Sequence, residues 1–417
     1  MSNRYGAAPQ LDEEYSDYYL EESYARRPKP RYKNESRQAP KAKALENIEN
    51  ADFTIYLVVT VLVLIGVVMV FSASYTMAAN RVRFDNNAFY FLIRNGIFAT
   101  AGFVAMNLIS RINYRFWRKG VWPLYFGTLG LLFLVTIMGR DAYGATRWLA
   151  VPIIGGFQPS EVAKAAIIFT LAHLVDKYPG ALKTWDNLFI FSGIVGAVVV
   201  LVLMPGGFST GLILSAIGFG MIFIASPYIW RFIIPGGIGI SAAATYLVIS
   251  ARFGLDFRGA RIQAWLDPWS DQLGVGFQTI QSLYAVATGG WFGIGIAESR
   301  QVSFIPEPHH DMIFAIIVEE LGLLGASVIL ILFAIFIWRG ILVAMRAPDT
   351  FGSMLAIGIV FAVAFQTIIN VGVVTNTIPN TGVTLPFISY GGTSLMISMA
   401  LAGILLSISR FSKAEEG

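Results

Sequence analysis

Apolar runs of about 20 residues, the length that crosses a bilayer as a helix, recur along most of this 417-residue chain. They cover roughly 53–76, 89–109, 121–138, 160–176, 187–204, 209–227, 232–250, 312–338, 352–374 and 391–410. A chain so patterned must satisfy its backbone inside lipid, which permits only helices or a closed barrel. Continuous runs of this length predict helices, so the expected fold class is an all-α polytopic membrane protein with about ten transmembrane helices. Hydrophobic residues make up 55% of the chain and charged residues 13%, a balance that excludes an ordinary soluble domain.

What flanks the runs sets the expected topology. Residues 1–52 begin acidic and tyrosine-rich ("LDEEYSDYYLEESY") and continue basic and proline-containing ("ARRPKPRYKNESRQAPKAK"). Such a segment buries too little apolar surface to offset its ordering entropy, and it is expected to be a disordered cytoplasmic tail rather than a signal peptide. Its basic half suits docking to partners or anionic lipid. The connector "SRINYRFWRKG" concentrates Arg111, Arg115, Arg118 and Lys119, which makes it cytoplasmic by the positive-inside rule. Counting from it places both termini inside, with 53–410 as the membrane domain and 411–417 as a cytoplasmic end. Lys177, Lys183, Arg231, Arg339 and Arg346 then fall on inner connectors, and 77–88, 139–159, 251–311 and 375–390 are outer. Arg140, Arg147, Arg252, Arg258, Arg261 and Arg300 run against that bias, so they are candidates for a task beyond interfacial anchoring.

The largest outer segment, 251–311, lies between the seventh and eighth spans and is too long to be structureless without a function. Within it Phe277, Ile280, Leu283, Tyr284 and Ala287 fall at helical spacing, with Gln278, Gln281 and Ser282 on the other side. That pattern predicts an interfacial or re-entrant helix, broken by "GGWFGIG". Asp311 stands at the mouth of the eighth span, where a helix cap is the plainest reading. Glu319 and Glu320 lie about 12 Å further along it, where a bare charge is costly. At about 100° per residue, Glu319 is the better placed of the two to share a cavity with Asp311. In the fourth span Pro159 and Ser160 read as a helix start, and Glu161 and Lys164 are spaced to pair. The adjacent His309 and His310 make only a weak metal motif. The last outer segment, "NTIPNTGVTLPFISYGGTSL", combines proline, glycine and small hydroxyl residues, which implies broken backbone lining a cavity. The chain has no cysteine, hence no thiolate chemistry, and no GxxxxGK[ST] loop, hence no sign of nucleotide binding. A formal net charge of +4 gives no argument for nucleic acid.

Six stretches, "GATRW" (144–148), "QPSEVAK" (158–164), "GFQTIQS" (276–282), "GGWFGIG" (289–295), "PEPHHDMIFAIIVEELG" (306–322) and "LPFISYGGTS" (385–394), occur in an order that resembles the FtsW/RodA family of shape, elongation, division and sporulation proteins. The resemblance implies a ten-helix glycosyltransferase that polymerises lipid II into peptidoglycan on the outer face of the bacterial cytoplasmic membrane. It also implies a class B penicillin-binding transpeptidase as partner, with other division or elongation proteins. The family's essential aspartate falls on Asp311, which is expected to act as general base. Arg147, Arg258 and Arg261 are candidates for the substrate phosphates, alone or with a divalent cation such as Mg or Mn. Gln278, Gln281, Ser282, Glu307, His309 and Ser389 are expected substrate contacts, and Glu161, Lys164, Glu319 and Glu320 supporting groups. His310 and Met312 depart from the family pattern, where threonine and phenylalanine are common. So do Gly206, Gly207 and Thr381, where relatives carry polar or charged residues. "SYGGTS" leans towards an FtsW-type member at the division septum. A lipid-linked sugar flippase or an idle division scaffold would use many of the same features.

Overall fold

The structure, a computed structural model, describes residues 50–142, 145–151, 155–228, 230–231 and 257–412. Most of the expected tail, the expected span 232–250 and residues 413–417 lie outside these. Eleven α-helices of eight residues or more are described: α1 (Phe53–Ala79), α2 (Tyr90–Arg111), α3 (Val121–Met138), α4 (Pro159–Lys177), α5 (Trp185–Leu203), α6 (Phe208–Ala225), α7 (Phe257–Leu266), α8 (Phe277–Gly289), α9 (Ile313–Arg346), α10 (Thr350–Val374) and α11 (Thr393–Ser409). Seven of them are long and apolar enough to span a membrane: α1, α2, α3 with its 3₁₀ lead-in from Tyr114, α5, α6, α9 and α10. Two more fall on expected spans. Helix α4 has 19 residues but carries Glu161, Lys164, Asp176 and Lys177, and α11 is an apolar helix of 17 residues.

α10 forms the centre. Of its most apolar stretch 61% is buried, against 22% for α2, so α2 presents much more of its surface outward. Around α10 pack α4, α6, α9 and α11, while α2 lies against α11 and α1 against α9. The α2–α11 contact is close because Gly403 leaves room for the Met106 backbone: a Cβ there would meet its carbonyl oxygen at 2.7 Å. This is how helices pack where burial from water gives no drive.

Four features differ from the sequence reading. The connector 139–159 contains a small antiparallel sheet, β1 (Arg140–Ala142), β2 (Ala145–Val151) and β3 (Gly155–Phe157), in that order. Trp148 pairs with Arg140, and Leu149 pairs with Phe157. Its bulky and branched residues suit a pleated surface. Helix α9 runs eight residues beyond the expected end, so Arg339 lies in a helix and not a connector. There it donates to the Asp52 carboxylate at 2.6 and 3.0 Å. Asp52 also caps α1 through the Ile55 N–H and donates its own N–H to Ser409 Oγ at 3.0 Å, so the expected tail ends before it. Finally, α7 was not anticipated.

The expected helix near 276–287 is present as α8, with its apolar edge divided between the protein and its surroundings. Tyr284 and Ala287 are exposed, whereas Ile280 is buried together with Thr279, Ser282, Ala285 and Gly289. The small side packs against α9, and "GGWFGIG" follows as a run of turns that lies on a break in α9. At Gly322 the backbone leaves the helical region (φ 70°, ψ −175°). The Ile294 and Gly295 amides donate to the carbonyls of Glu319 and Glu320 at 3.0 and 3.1 Å. The Leu323 and Leu324 amides donate back to Gly290 and Trp291 at 2.9 and 3.1 Å. A broken helix in a membrane needs such substitute partners. Glycine is required on both sides, since a Cβ on Gly322 would stand 2.3 Å from the Gly293 nitrogen.

Replacing Gly322 with valine should therefore lower thermal stability in detergent markedly, by about 1–3 kcal/mol from the backbone strain alone and more from the collision. Gly96→Val, on a surface with nothing within 4 Å, should shift the unfolding midpoint little.

Candidate functional site

The turn before α9 is built by proline and strain. Glu307, between Pro306 and Pro308, has a left-handed backbone (φ 46°), uncommon for a residue with a Cβ. The His310 N–H closes the turn on the Glu307 carbonyl at 3.0 Å. Met312, not Asp311, occupies the cap position of α9, and no side chain caps it. The Asp311 carboxylate is therefore not spent as a helix cap.

Segments far apart in the chain hold this turn. Asn370 of α10 donates both amide hydrogens, one to the Asp311 carbonyl and one to the Val383 carbonyl, each at 2.7 Å. The Tyr390 N–H donates to the His309 carbonyl at 2.9 Å. A Cβ on Gly382 would come within 3.5 Å of Asp311 Oδ2, so the 376–383 segment passes directly over the carboxylate. That segment is gripped in turn. Trp265 Nε1 donates to the Asn376 carbonyl at 3.0 Å and Asn376 Nδ2 to the Trp265 carbonyl at 3.2 Å. Arg261 reaches the Asn380 carbonyl at 3.5 Å, and Asn380 Nδ2 donates to Gln278 Oε1 at 2.9 Å.

Asp311 is half-buried. Burial raises its carboxyl above the ordinary range and Glu307 adds to the rise, while His310, the residue's own backbone amide and Arg261 pull it back. Such a carboxylate is a stronger base than a solvated one and stays beside compensating cations. His309 is fully enclosed, its ring 4.4 Å from Phe91, 4.7 Å from His310 and 5.5 Å from Tyr390. Burial, then His310 and Arg81, push it well below the usual histidine range, so it is neutral at pH 7. Burial likewise pushes the Tyr390 hydroxyl up to about 12.

The other acids serve separate networks. Glu319 accepts from Ser299 and Thr288 and from the Arg300 and Gln301 amides, holding the loop after "GGWFGIG" instead of sharing a cavity with Asp311. Glu320 accepts from Ser72 of α1 at 2.6 and 2.7 Å, and Ser72 also accepts from the Ala297 amide. Glu161 pairs with Lys164 at 2.6 Å, both nearly sealed from solvent. The pair is completed by Ser394 donating to Glu161 at 2.8 Å and Lys164 donating to Gln366 at 3.0 Å, which ties α4 to α10 and α11.

The structure therefore brings Asp311, Arg261, Glu307, His309 and Gln278 into one region. Ser282 is spent on the Val374 carbonyl at 2.9 Å and Ser389 on the Leu385 amide at 2.8 Å, and Gln281 is half-buried on α8. Arg147 lies on β2 and Arg258 on α7, with side chains outside the described residues. Among the described residues no group of three or more His, Asp or Glu could hold a metal ion. A concavity of about 660 Å³ lies along α2, lined by Ile93, Gly96, Ile97, Thr100, Ala101 and Val104; with no ionisable group, it offers no acid–base chemistry. Sequence reasoning missed Asn370, Gln366, Ser394, Asn380 and Tyr390. The polar interruptions "FQTIIN" within the ninth apolar run were the available signal for the first two.

Comparison with known proteins adds to this picture. The cell cycle protein family FtsW/RodA/SpoVE matches residues 53–414. Stage V sporulation protein E of Bacillus subtilis (strain 168) is 41% identical over 368 residues, 87% of this chain and 98% of the relative. A "Probable peptidoglycan glycosyltransferase FtsW" of Geobacter sp. (strain M18) is 37% identical over 88% of this chain and 98% of its own. Among solved structures, a chain from work on the structural coordination of polymerization and crosslinking by a peptidoglycan synthase complex superposes with a TM-score of 0.70 at 28% identity, covering 86% of this chain and 98% of that one. The rod shape determining protein RodA of Thermus thermophilus has the same fold, with a TM-score of 0.64 at 24% identity over 88% of this chain and 98% of its own.

Removing one member of the buried ion pair leaves the other uncompensated, so Lys164→Met should destabilise the protein by about 3–5 kcal/mol. Combining it with Glu161→Gln should recover much of the loss, as read from thermal unfolding in detergent.

Proposed function

Since the chain belongs to the FtsW/RodA/SpoVE family, we propose that it is a peptidoglycan glycosyltransferase that polymerises lipid II on the outer face of the cytoplasmic membrane, with Asp311 as general base. The observation that carries this reading is the Asp311 turn itself. Its carboxylate is not used as a helix cap and is made more basic by burial, and the turn that carries it is held through its backbone by the Asn370 side-chain amide of α10 and the Tyr390 N–H before α11. General-base catalysis needs a carboxylate within about 2.6–3.2 Å of the proton it removes and a pKa drawn towards the working pH. Asp311 would take the hydroxyl proton of the acceptor sugar as that oxygen attacks the donor's anomeric carbon. The bond that breaks joins that carbon to a polyprenyl pyrophosphate, whose developing charge requires cationic stabilisation.

Arg261 is the described arginine facing Asp311, and Arg147 and Arg258 are its proposed companions on β2 and α7. A divalent cation such as Mg or Mn is a proposed companion of these arginines at the pyrophosphate. Because no nucleotide site is needed, the donor must arrive already activated, as a lipid-linked pyrophosphate does. A class B transpeptidase is the proposed partner, supported by the likeness to a chain from a peptidoglycan synthase complex. Both termini are proposed to be cytoplasmic. Relatives named for FtsW and for stage V sporulation support a role at a septum, of which vegetative division is the one proposed here.

Purified protein given lipid II, with and without a cognate transpeptidase, should form glycan strands. Asp311→Asn should lose at least about 100-fold in rate, the low end of what a general base contributes, without loss of expression or partner binding. Translocation of lipid II without polymer would instead favour a flippase, and rescue of a deletion strain by Asp311→Asn a scaffold. Arg261→Ala should weaken substrate binding, seen as a raised KM.

A further inference from the structure

The segment 376–383, which passes over the Asp311 carboxylate, has no helix or strand of its own. It keeps its course through ties to other elements. At its start the Gly372 carbonyl, in the last turn of α10, accepts the Thr377 and Ile378 amides at 2.8 and 3.1 Å. Trp265 of α7 and Asn376 exchange hydrogen bonds at 3.0 and 3.2 Å. Midway, Gln278 of α8 accepts from the Asn380 side chain at 2.9 Å. The last residue, Val383, is held by Asn370, where the two hydrogens of one nitrogen divide between the Val383 and Asp311 carbonyls, each at 2.7 Å. Asn370 is sealed from solvent. Its amide has one workable orientation, because Oδ1 in the place of Nδ2 would set an acceptor against two carbonyl oxygens. Among the described residues Oδ1 meets no donor, and a buried acceptor without a partner weakens a fold. The side chain is thus placed for its two donor bonds and not for the full satisfaction of its own polar atoms.

We propose that Asn370 is a positioning residue that couples the segment lying over the site to the general base beneath it, so that the two keep one fixed spacing. This rests on the reading of Asp311 as the base. The Asp311 carbonyl carbon is bonded to the Cα that bears the carboxylate, so holding the carbonyl fixes the direction in which the side chain leaves the turn. Val383 follows Gly382, where a Cβ would come within 3.5 Å of Asp311 Oδ2. One nitrogen therefore sets both the base and the backbone over it. A displacement of about 1 Å at a reacting group can cost about 100-fold in rate, so this spacing matters to turnover. The coupling reaches α7, because Trp265 grips Asn376, and Arg261, one turn earlier, reaches the Asn380 carbonyl at 3.5 Å. The helix that carries the proposed phosphate ligand thus bears on the base through the segment and Asn370.

The test is kcat and KM for lipid II polymerisation by wild type, Asn370→Ala, Trp265→Phe, the double variant and Asp311→Asn, with thermal unfolding in detergent to count folded protein. Asn370→Ala should lower kcat per folded protein by about 100-fold, with KM changed less than about twofold. Trp265→Phe, which removes the indole donor to Asn376, should lower kcat by about 10-fold alone and add nothing in the double variant, since residues in one network are not additive. Losses that multiply in the double variant, or a wild-type kcat in Trp265→Phe, would overturn the coupling. A wild-type kcat per folded protein in Asn370→Ala would overturn the proposal whatever KM does: with KM unchanged the residue is purely structural, and with KM raised it is a substrate contact. If Asn370→Ala does not accumulate, Asn370→Ser decides: a kcat lowered at unchanged KM supports the proposal and a wild-type kcat overturns it. Activity retained in Asp311→Asn would reject the underlying reading, whereas an inactive Asp311→Asn with a wild-type kcat in Asn370→Ala rejects this inference alone.

Discussion

A polar group at membrane depth must find its partner within the protein, because lipid offers none. Three arrangements in this fold answer that demand. The broken turn of α9 at Gly322 is rebuilt by hydrogen bonds to the segment after α8. The acids two turns into α9 are covered by serine and threonine hydroxyls and loop amides. The Glu161–Lys164 pair is closed by Gln366 and Ser394. Each solution joins elements distant in sequence, so satisfying the buried polar groups also fixes how the helices assemble.

The Asp311 turn depends on this assembly. Asn370 can bridge the carbonyls of Asp311 and Val383 only because α10 sits centrally, against both α9 and the segment leading to α11. Left-handed backbone marks Glu307 within the turn and Asn376 and Phe387 in the segment beside it, conformations that a residue with a Cβ holds only where the surroundings over-determine them. The turn that carries the Asp311 carboxylate is thus placed through its own backbone, by the Asn370 amide of α10 and the Tyr390 N–H.

Much of this was legible in the sequence. The positions of nine of the ten apolar runs, the existence of the α8 helix and the pairing of Glu161 with Lys164 follow from periodicity and spacing. What was not legible depends on contacts between distant residues. Nothing in the spacing of Glu319 reveals that Ser299 and Thr288 will claim it, since those residues approach only once α8 folds back along α9. The apolar residues of α8 predict an interfacial or re-entrant helix, and the structure divides them, burying Ile280 and exposing Tyr284 and Ala287, because in a membrane an apolar side can face lipid as readily as protein. Asn370 was hidden within a run whose mean hydropathy overwhelmed one amide. The 139–159 sheet was missed because its strands are shorter than a periodicity argument can resolve.

For Asp311 to act as the base, its turn must open to the outer side of the membrane and receive the lipid-linked substrate there. Because the chain has no native cysteine, single cysteines report position without background. The most direct measurement is the labelling of Gly382→Cys, placed over the Asp311 carboxylate, by a membrane-impermeant thiol reagent in oriented vesicles, with Lys119→Cys as the opposite-side reference. Labelling from the outer side, slowed by added lipid II, is the predicted result. Labelling of Gly382→Cys from the same side as Lys119→Cys, or at a rate indifferent to lipid II, would contradict the account.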